Sequence, residues 1–450
     1  MIPGSSVVIL DDDPTHLKKL TECLNLMGYA ALPVLFTKGA PQIEEPLSSA
    51  QILFLDIHLV PAAPLGPAVF DTVALALEHV IGPDNGPYVL VTWSSNTAQH
   101  EELMRHLSTN MNPEVPAPAA SAMLDKNVYL AEGSDLPKGV EEAVSKVPQV
   151  TALLEWSNAG RIAAGEVINS LLQLLPRDDR FLGNGGAALD RHLTAIAREG
   201  AGGNASADIT AAMNEGFGPI LVDRLLHSTA KQQERMEKVW GAAIGNVEED
   251  PRLEPPEKAA LNTMASISLH DIENVLAGSR GAVCELPDWL ADDAGFRSRF
   301  AYCKDEIVEH FVCILPEKKR ARGKLSKAEK AELRSELCKN LVFRLVGLSA
   351  ACDHAWGKVP IKKLLLGVEI SQSFLENFCE ASHGAIYTTP LFRIPGRDEP
   401  GKLILNWRYY VAAPSGFEEC KVHYRLREPL LSHLLTQYHV YGFRPGIPDY

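Results

Sequence analysis

A chain of 450 residues that is 46% hydrophobic and 22% charged has ordinary soluble globular composition and is long enough for roughly two to four domains. Its formal charge is −14, and residues 1–150 hold 18 acidic against 7 basic side chains, so −11 of that charge lies in the first third. This argues against the first third as a nucleic-acid surface, which needs a basic footprint; the remaining −3 leaves room for a local basic patch but supports none by itself.

The eight cysteines, Cys23, Cys284, Cys303, Cys313, Cys338, Cys352, Cys379 and Cys420, form no CxxC and no repeated spacing. Reduced thiols are expected rather than zinc ligands or a disulfide framework. The opening MIPGSSVVILDDDP has a short apolar run before three aspartates, and nowhere do 18 apolar residues follow one another. Neither a secretory signal nor a membrane span is expected, and a cytoplasmic location follows.

In chain order, Val7 to Leu10 is a continuous apolar run that suits a strand buried on both faces, with Asp11, Asp12 and Asp13 at its C-terminal end. Pro14 suits a first helical turn, and Leu17, Leu20, Cys23, Leu24 and Met27 give one apolar face that Gly28 ends. Ala31 to Phe36 reads as a second strand and Ile52 to Leu55 as a third, ending in Asp56. Phe70 to Ile81 reads as a helix, Tyr88 to Val91 as a fourth strand ending in Thr92, and Thr97 to Leu107 as a helix. After a proline-rich loop, Ala122 to Leu124 makes a short fifth strand with Lys126 just past its end. The alternation predicts an α/β fold: a doubly wound, five-stranded parallel sheet with helices on both faces. Each polar residue singled out falls at a strand's C-terminal end, where open α/β sheets bind ligands. Taken singly, an aspartate after a strand is as readily a turn or helix N-cap residue.

Together these residues resemble the receiver domain of two-component response regulators, over the N-terminal third only. Asp11 and Asp12 match that family's metal-binding acids, Asp56, 45 residues after Asp11, its phosphoacceptor, Thr92 its switch hydroxyl, and Lys126 its cation. The resemblance implies a flavodoxin-like receiver fold, Mg²⁺ held by Asp11, Asp12 and Asp56, and a histidine kinase as phosphoryl donor. The chemistry fits the set: a carboxylate attacking phosphorus brings anions together, so a divalent cation and a fixed positive charge are needed to offset the repulsion.

The chain also departs from the family's pattern. Pro61 lies five residues after Asp56 rather than four and begins the apparent insertion Pro61-Ala62-Ala63-Pro64-Leu65-Gly66-Pro67. Trp93 follows Thr92 where a small residue is usual, and is expected to restrict the site. Asn127 follows Lys126 where a proline is usual, and Lys138 is a poor substitute for Lys126 because it lies in a later polar segment.

Beyond the receiver-like third, Leu136 to Val147 reads as its last helix, continuing through Val150 to Leu175 without a linker. Residues 187–330 are mostly helical in pattern. The run Pro316 to Lys330 holds seven basic against two acidic residues but no aromatic, so a solvated loop is expected more than a nucleic-acid site. Ser326 and Glu329 form a capping box for a helix through Leu341. Cys352-Asp353-His354 permits a nucleophile or metal-ligand reading, although packing explains such a cysteine more simply. Two strands, Leu403 to Val411 and Glu419 to Leu426, then a helix from Glu428 to Tyr438, complete an α+β region. Three parts are expected: a receiver domain at 1–148, a helical middle at 149–315 and an α+β domain at 316–450. The Cys352-Asp353 segment and the terminal Arg444-Pro445-Gly446-Ile447 resemble C-terminal regions of large bacterial receiver proteins, some encoded with antiviral defence systems.

No P-loop, GxSxG or HExxH motif points to a separate catalytic output, and no basic helix points to DNA. The expected function is a response regulator that takes a phosphoryl group on Asp56 and signals through a C-terminal protein-interaction region to an unidentified output protein, with a homodimer possible. The alternative is a phosphoryl sink or docking receiver without effector activity of its own.

Overall fold

The computed structural model describes residues 6–60, 66–131, 134–202, 205–206, 208–227, 230–245, 247–248, 252–270, 272–314, 326–348, 361–375, 378–380, 384–414 and 420–442. The chain forms two compact units, Met1–Asn184 with Pro219–Glu249, and Gly185–Gly218 with Asp250–Tyr450. No helix among the described residues is long and apolar enough to cross a membrane.

The first unit is built on β1 (Val7–Asp11), α1 (Pro14–Leu26), β2 (Ala31–Thr37), β3 (Ala40–Pro41), β4 (Ile52–Leu55), α2 (Pro67–Val80), β5 (Val89–Ser94), α3 (His100–Asn110), β6 (Ala120–Asp125), α4 (Lys126–Tyr129), α5 (Leu136–Val144) and α6 (Pro148–Gln173). The strands lie in the order β3-β2-β1-β4-β5-β6. All pair in parallel except β3, which runs antiparallel to β2. The parallel five therefore follow the doubly wound order 2-1-3-4-5.

Side-chain alternation divides the core into two layers. Val8, Leu10, Leu53, Leu55 and Leu90 face Phe70, Leu77, Leu103 and Leu107 of α2 and α3. Val7, Ile9, Phe54, Val91 and Trp93 face Leu20 and Leu24 of α1 and Val140 of α5. Each such buried side chain contributes roughly 1.5–3 kcal/mol relative to exposure.

The sheet has six strands, not the five expected. Lys38 (φ 55°) and Gly39 (φ 83°) both take the left-handed conformation, making a two-residue turn that folds Ala40 back onto Thr37 and Pro41 onto Phe36. The last helix also ends sooner than expected. Val147 is extended (φ −121°, ψ 89°) ahead of Pro148, because the proline ring crowds a helical predecessor. Thus α5 and α6 are separate helices, although Val150 of α6 still packs in the α1/α5 layer.

Further helices are α7 (Arg177–Leu182), α8 (Gly186–Ala201), α9 (Ile209–Leu226), α10 (Ala230–Ala243) and α11 (Pro255–Ser266). In the first unit α10 packs on α6, where Arg235 pairs with Glu155. In the second, Gly200 of α8 lets α9 approach closely, since a Cβ there would stand 2.7 Å from the Ala212 carbonyl oxygen.

The second unit is organised by an antiparallel sheet of β7 (Ile267–Ser268), β8 (Ala282–Cys284), β10 (Leu341–Gly347), β11 (Ile361–Ser371), β13 (Ile386–Thr388), β14 (Phe392–Arg393), β15 (Pro400–Pro414) and β16 (Val422–Leu426), with β9 (Val312–Ile314) and β12 (Phe378–Glu380) paired separately. Its order is β13-β15-β11-β10-β8-β16-β7, with β14 also on β15. One face buries Phe296, Phe300, Ile307 and Phe311; the other packs against Leu430, Leu431 and Leu434 of the helix Glu428–Gly442. The chain is thus mixed α/β, with a helical middle that also lends β7, β8 and β9 to the sheets.

Candidate functional site

In a parallel sheet all strands point the same way, so the residues at their C-terminal ends meet at one edge. Asp11 ends β1, Asp12 follows it, Asp56 follows β4, Thr92 lies near the end of β5, and Lys126 follows β6 as the first residue of α4. Lys126 Nζ stands 2.7 Å from Asp11 Oδ2 and 2.7 Å from Asp56 Oδ2. The contact with Asp56 has hydrogen-bond geometry; the contact with Asp11 is an ion pair of the same length. Asp11, Asp56 and Lys126 are all buried, and Asp12 is half-buried.

Backbone bonds hold these groups in place. The Asp13 amide donates to Asp11 Oδ1 (2.9 Å), the His58 amide to Asp56 Oδ1 (3.1 Å), and the Asp56 amide to the Leu10 carbonyl (2.9 Å). Asp13 has a different task. Its Oδ1 accepts from the Thr15 amide at 2.7 Å and caps α1, so the third aspartate of the triplet is a helix cap.

Asp11, Asp12 and Asp56 each offer a carboxylate oxygen within 4.8 Å of the others. Burial pushes the Asp11 carboxyl up to about 6; Lys126 opposes that shift and Asp56 adds to it. Asp12 is raised too, first by burial and then by Asp56. Three carboxylates against one ammonium leave excess negative charge in a site mostly closed to water. An all-oxygen donor set with that imbalance fits a hard divalent cation such as Mg²⁺.

Thr92 is fully buried, and its hydroxyl is engaged: Oγ1 lies 2.9 Å from His100 Nδ1 and donates to the Ala122 carbonyl at 3.3 Å. The other ring nitrogen, Nε2, lies 3.4 Å from Ser121 Oγ. Sequence reasoning missed His100. Its neighbours in sequence gave no signal, because its partners Thr92 and Ser121 lie on β5 and β6. Burial, aided by Lys146, holds its imidazole below the usual histidine range.

Trp93 is wholly buried in the α1/α5 layer, with its ring centroid 6.0 Å from Lys126 Nζ and its indole Nε1 unpaired. Asn127 uses the N–H that a proline would lack: its amide donates to Asp125 Oδ1 at 2.8 Å, and its side chain donates to the Ser95 carbonyl at 3.0 Å. That tethers the segment after β5 to α4. Lys138 is exposed, 3.8 Å from Glu142, and takes no part in the cluster.

Residues 61–65, the run 316–325, Cys352-Asp353-His354 and residues 444–447 lie outside the described residues. The second unit holds another buried polar group. Arg344 Nε stands 3.0 Å from Glu369 Oε1, which also accepts from Tyr424 Oη at 2.9 Å.

No protein-family model matches the chain, and no curated protein matches it. Among solved structures it is similar to the crystal structure of full-length FixJ from B. japonicum, at 13% identity over 53% of this chain and 98% of that one, with a TM-score of 0.20.

Proposed function

We propose that the first unit is a two-component receiver in which Asp56 accepts a phosphoryl group, and that the chain is a response regulator acting through the rest of its length. The observation that carries this reading is Lys126 bridging Asp56 and Asp11 at 2.7 Å beside Asp12. An Asp56 oxygen attacks phosphorus, the bond to the leaving group breaks, and an acyl phosphate forms. Lys126 is a compact positive charge already within bonding distance of the nucleophile, placed to balance charge on the phosphoryl oxygens. Asp11, Asp12 and Asp56 would hold Mg²⁺, which when bound offsets the repulsion between the carboxylate and the phosphoryl group. Thr92 supplies a hydroxyl that turns to the new group, biasing a two-state equilibrium. A histidine kinase as donor, and a protein partner for the output, complete the proposal.

Borohydride trapping tests the assignment, because it reduces an aspartyl phosphate to homoserine. After treatment with a small-molecule phosphodonor, peptide mapping is expected to find homoserine at position 56; homoserine elsewhere, or none in protein shown to carry phosphate, would refute it.

A further inference from the structure

The one proton of the Thr92 hydroxyl is already committed. If His100 carries its proton on Nδ1, that N–H donates to Thr92 Oγ1 and Thr92 donates to the Ala122 carbonyl; in the other tautomer Thr92 donates to Nδ1. In both cases Thr92 has to give up an existing bond before it can donate to a phosphoryl oxygen on Asp56. His100 is also the first residue of α3, and its other nitrogen faces Ser121 on β6. Its ring therefore joins β5, β6 and the start of α3. Burial keeps it neutral, so one ring nitrogen is a donor and the other an acceptor.

We infer that His100 is a positioning residue of the phosphoacceptor site, whose imidazole latches the Thr92 hydroxyl in the unphosphorylated protein and passes release of that bond to α3. The inference rests on the receiver reading and adds a residue to it. When Asp56 is phosphorylated, Thr92 turns to the phosphoryl group, the Thr92–His100 bond opens, and the first turn of α3 loses its anchor to β5. A signal that begins at Asp56 then leaves the unit through α3.

Two side-chain swaps on the full chain separate this from simple packing. In His100→Asn the amide stands where Nδ1 stood and retains the bond to Thr92; in His100→Gln it stands where Nε2 stood and retains only Ser121. With a small-molecule phosphodonor and Mg²⁺, hydrogen exchange over residues 100–110 is expected to change on phosphorylation in wild type and in His100→Asn, and to stay unchanged in His100→Gln. The labelling rate of His100→Gln is expected to rise by a factor of about 2 to 10, the equilibrium worth of one neutral hydrogen bond.

If His100→Gln matches wild type in both rate and exchange response, the latch is wrong. If both variants are destabilised alike while the exchange response persists, the ring is only packing, and the latch is again wrong. A measurement on wild type avoids substitution altogether: the His100 ¹⁵Nδ1 resonance is expected to shift on phosphorylation, and a resonance that stays put overturns the inference. A wild type that takes no label would instead sink the receiver reading, and this inference with it.

Discussion

Lys126 and Asp56 meet at 2.7 Å with both side chains almost wholly withdrawn from water, and the same ammonium touches Asp11 at 2.7 Å. One cation thus balances two buried carboxylates that come from different strands. Replacing it with methionine leaves both acids buried without a counter-charge. Lys126→Met is expected to cost about 3–5 kcal/mol of folding stability, measured by denaturant unfolding. A loss below about 1 kcal/mol, the worth of an exposed pair, would show that the bridge is not what neutralises the site.

The raised Asp11 carboxyl sets the pH dependence. Its folded value of about 6 exceeds the ordinary 3.8, so the native state binds the proton more tightly than the unfolded chain. The resulting stability is full below about 3.8 and is lost as pH rises through about 6, an effect of order 3 kcal/mol. Mg²⁺ competes with that proton. The rise in unfolding temperature on adding Mg²⁺ is therefore expected to be larger at about pH 8 than at about pH 5, whereas equal shifts at both would contradict cation binding at Asp11.

Trp93 packs in the core rather than lining an entrance. Trp93→Ala is expected to lose about 3–5 kcal/mol, the usual cost of emptying a buried aromatic site, read from the unfolding midpoint. Unchanged stability would contradict that packing role.

In the second unit, Tyr424 donates to a fully buried Glu369. Tyr424→Phe is expected to cost about 1.5–3 kcal/mol, because the bond it removes is to a charged acceptor. The double change Arg344→Met with Glu369→Leu is expected to cost less than Glu369→Ala alone, since it removes both charges instead of stranding one. The reverse order in chemical denaturation would show that the pair itself stabilises the unit.

The parallel sheet was legible because its strands are continuous apolar runs whose ends carry Asp11, Asp56, Thr92 and Lys126, and parallel topology brings such ends together. The two-residue strand Ala40–Pro41 was not, because its only sign is the Lys38-Gly39 turn. Short strands such as Ala282–Cys284 carry too few residues to show a period of two. His100 escaped notice for another reason: its partners Thr92 and Ser121 lie on neighbouring strands, and only the fold brings them together. Asp13 illustrates the converse: it stands directly before Pro14, the first residue of α1, where a helix cap belongs, and its bond to the Thr15 amide makes it one.

Phosphorylation of Asp56 is measured most directly by the intact mass of wild type and Asp56→Asn after exposure to a small-molecule phosphodonor with Mg²⁺, with elution volume followed in parallel. Wild type is expected to gain the mass of one phosphoryl group and Asp56→Asn none, with a change in elution volume only where the label is present. Equal labelling of both proteins would contradict Asp56 as the acceptor.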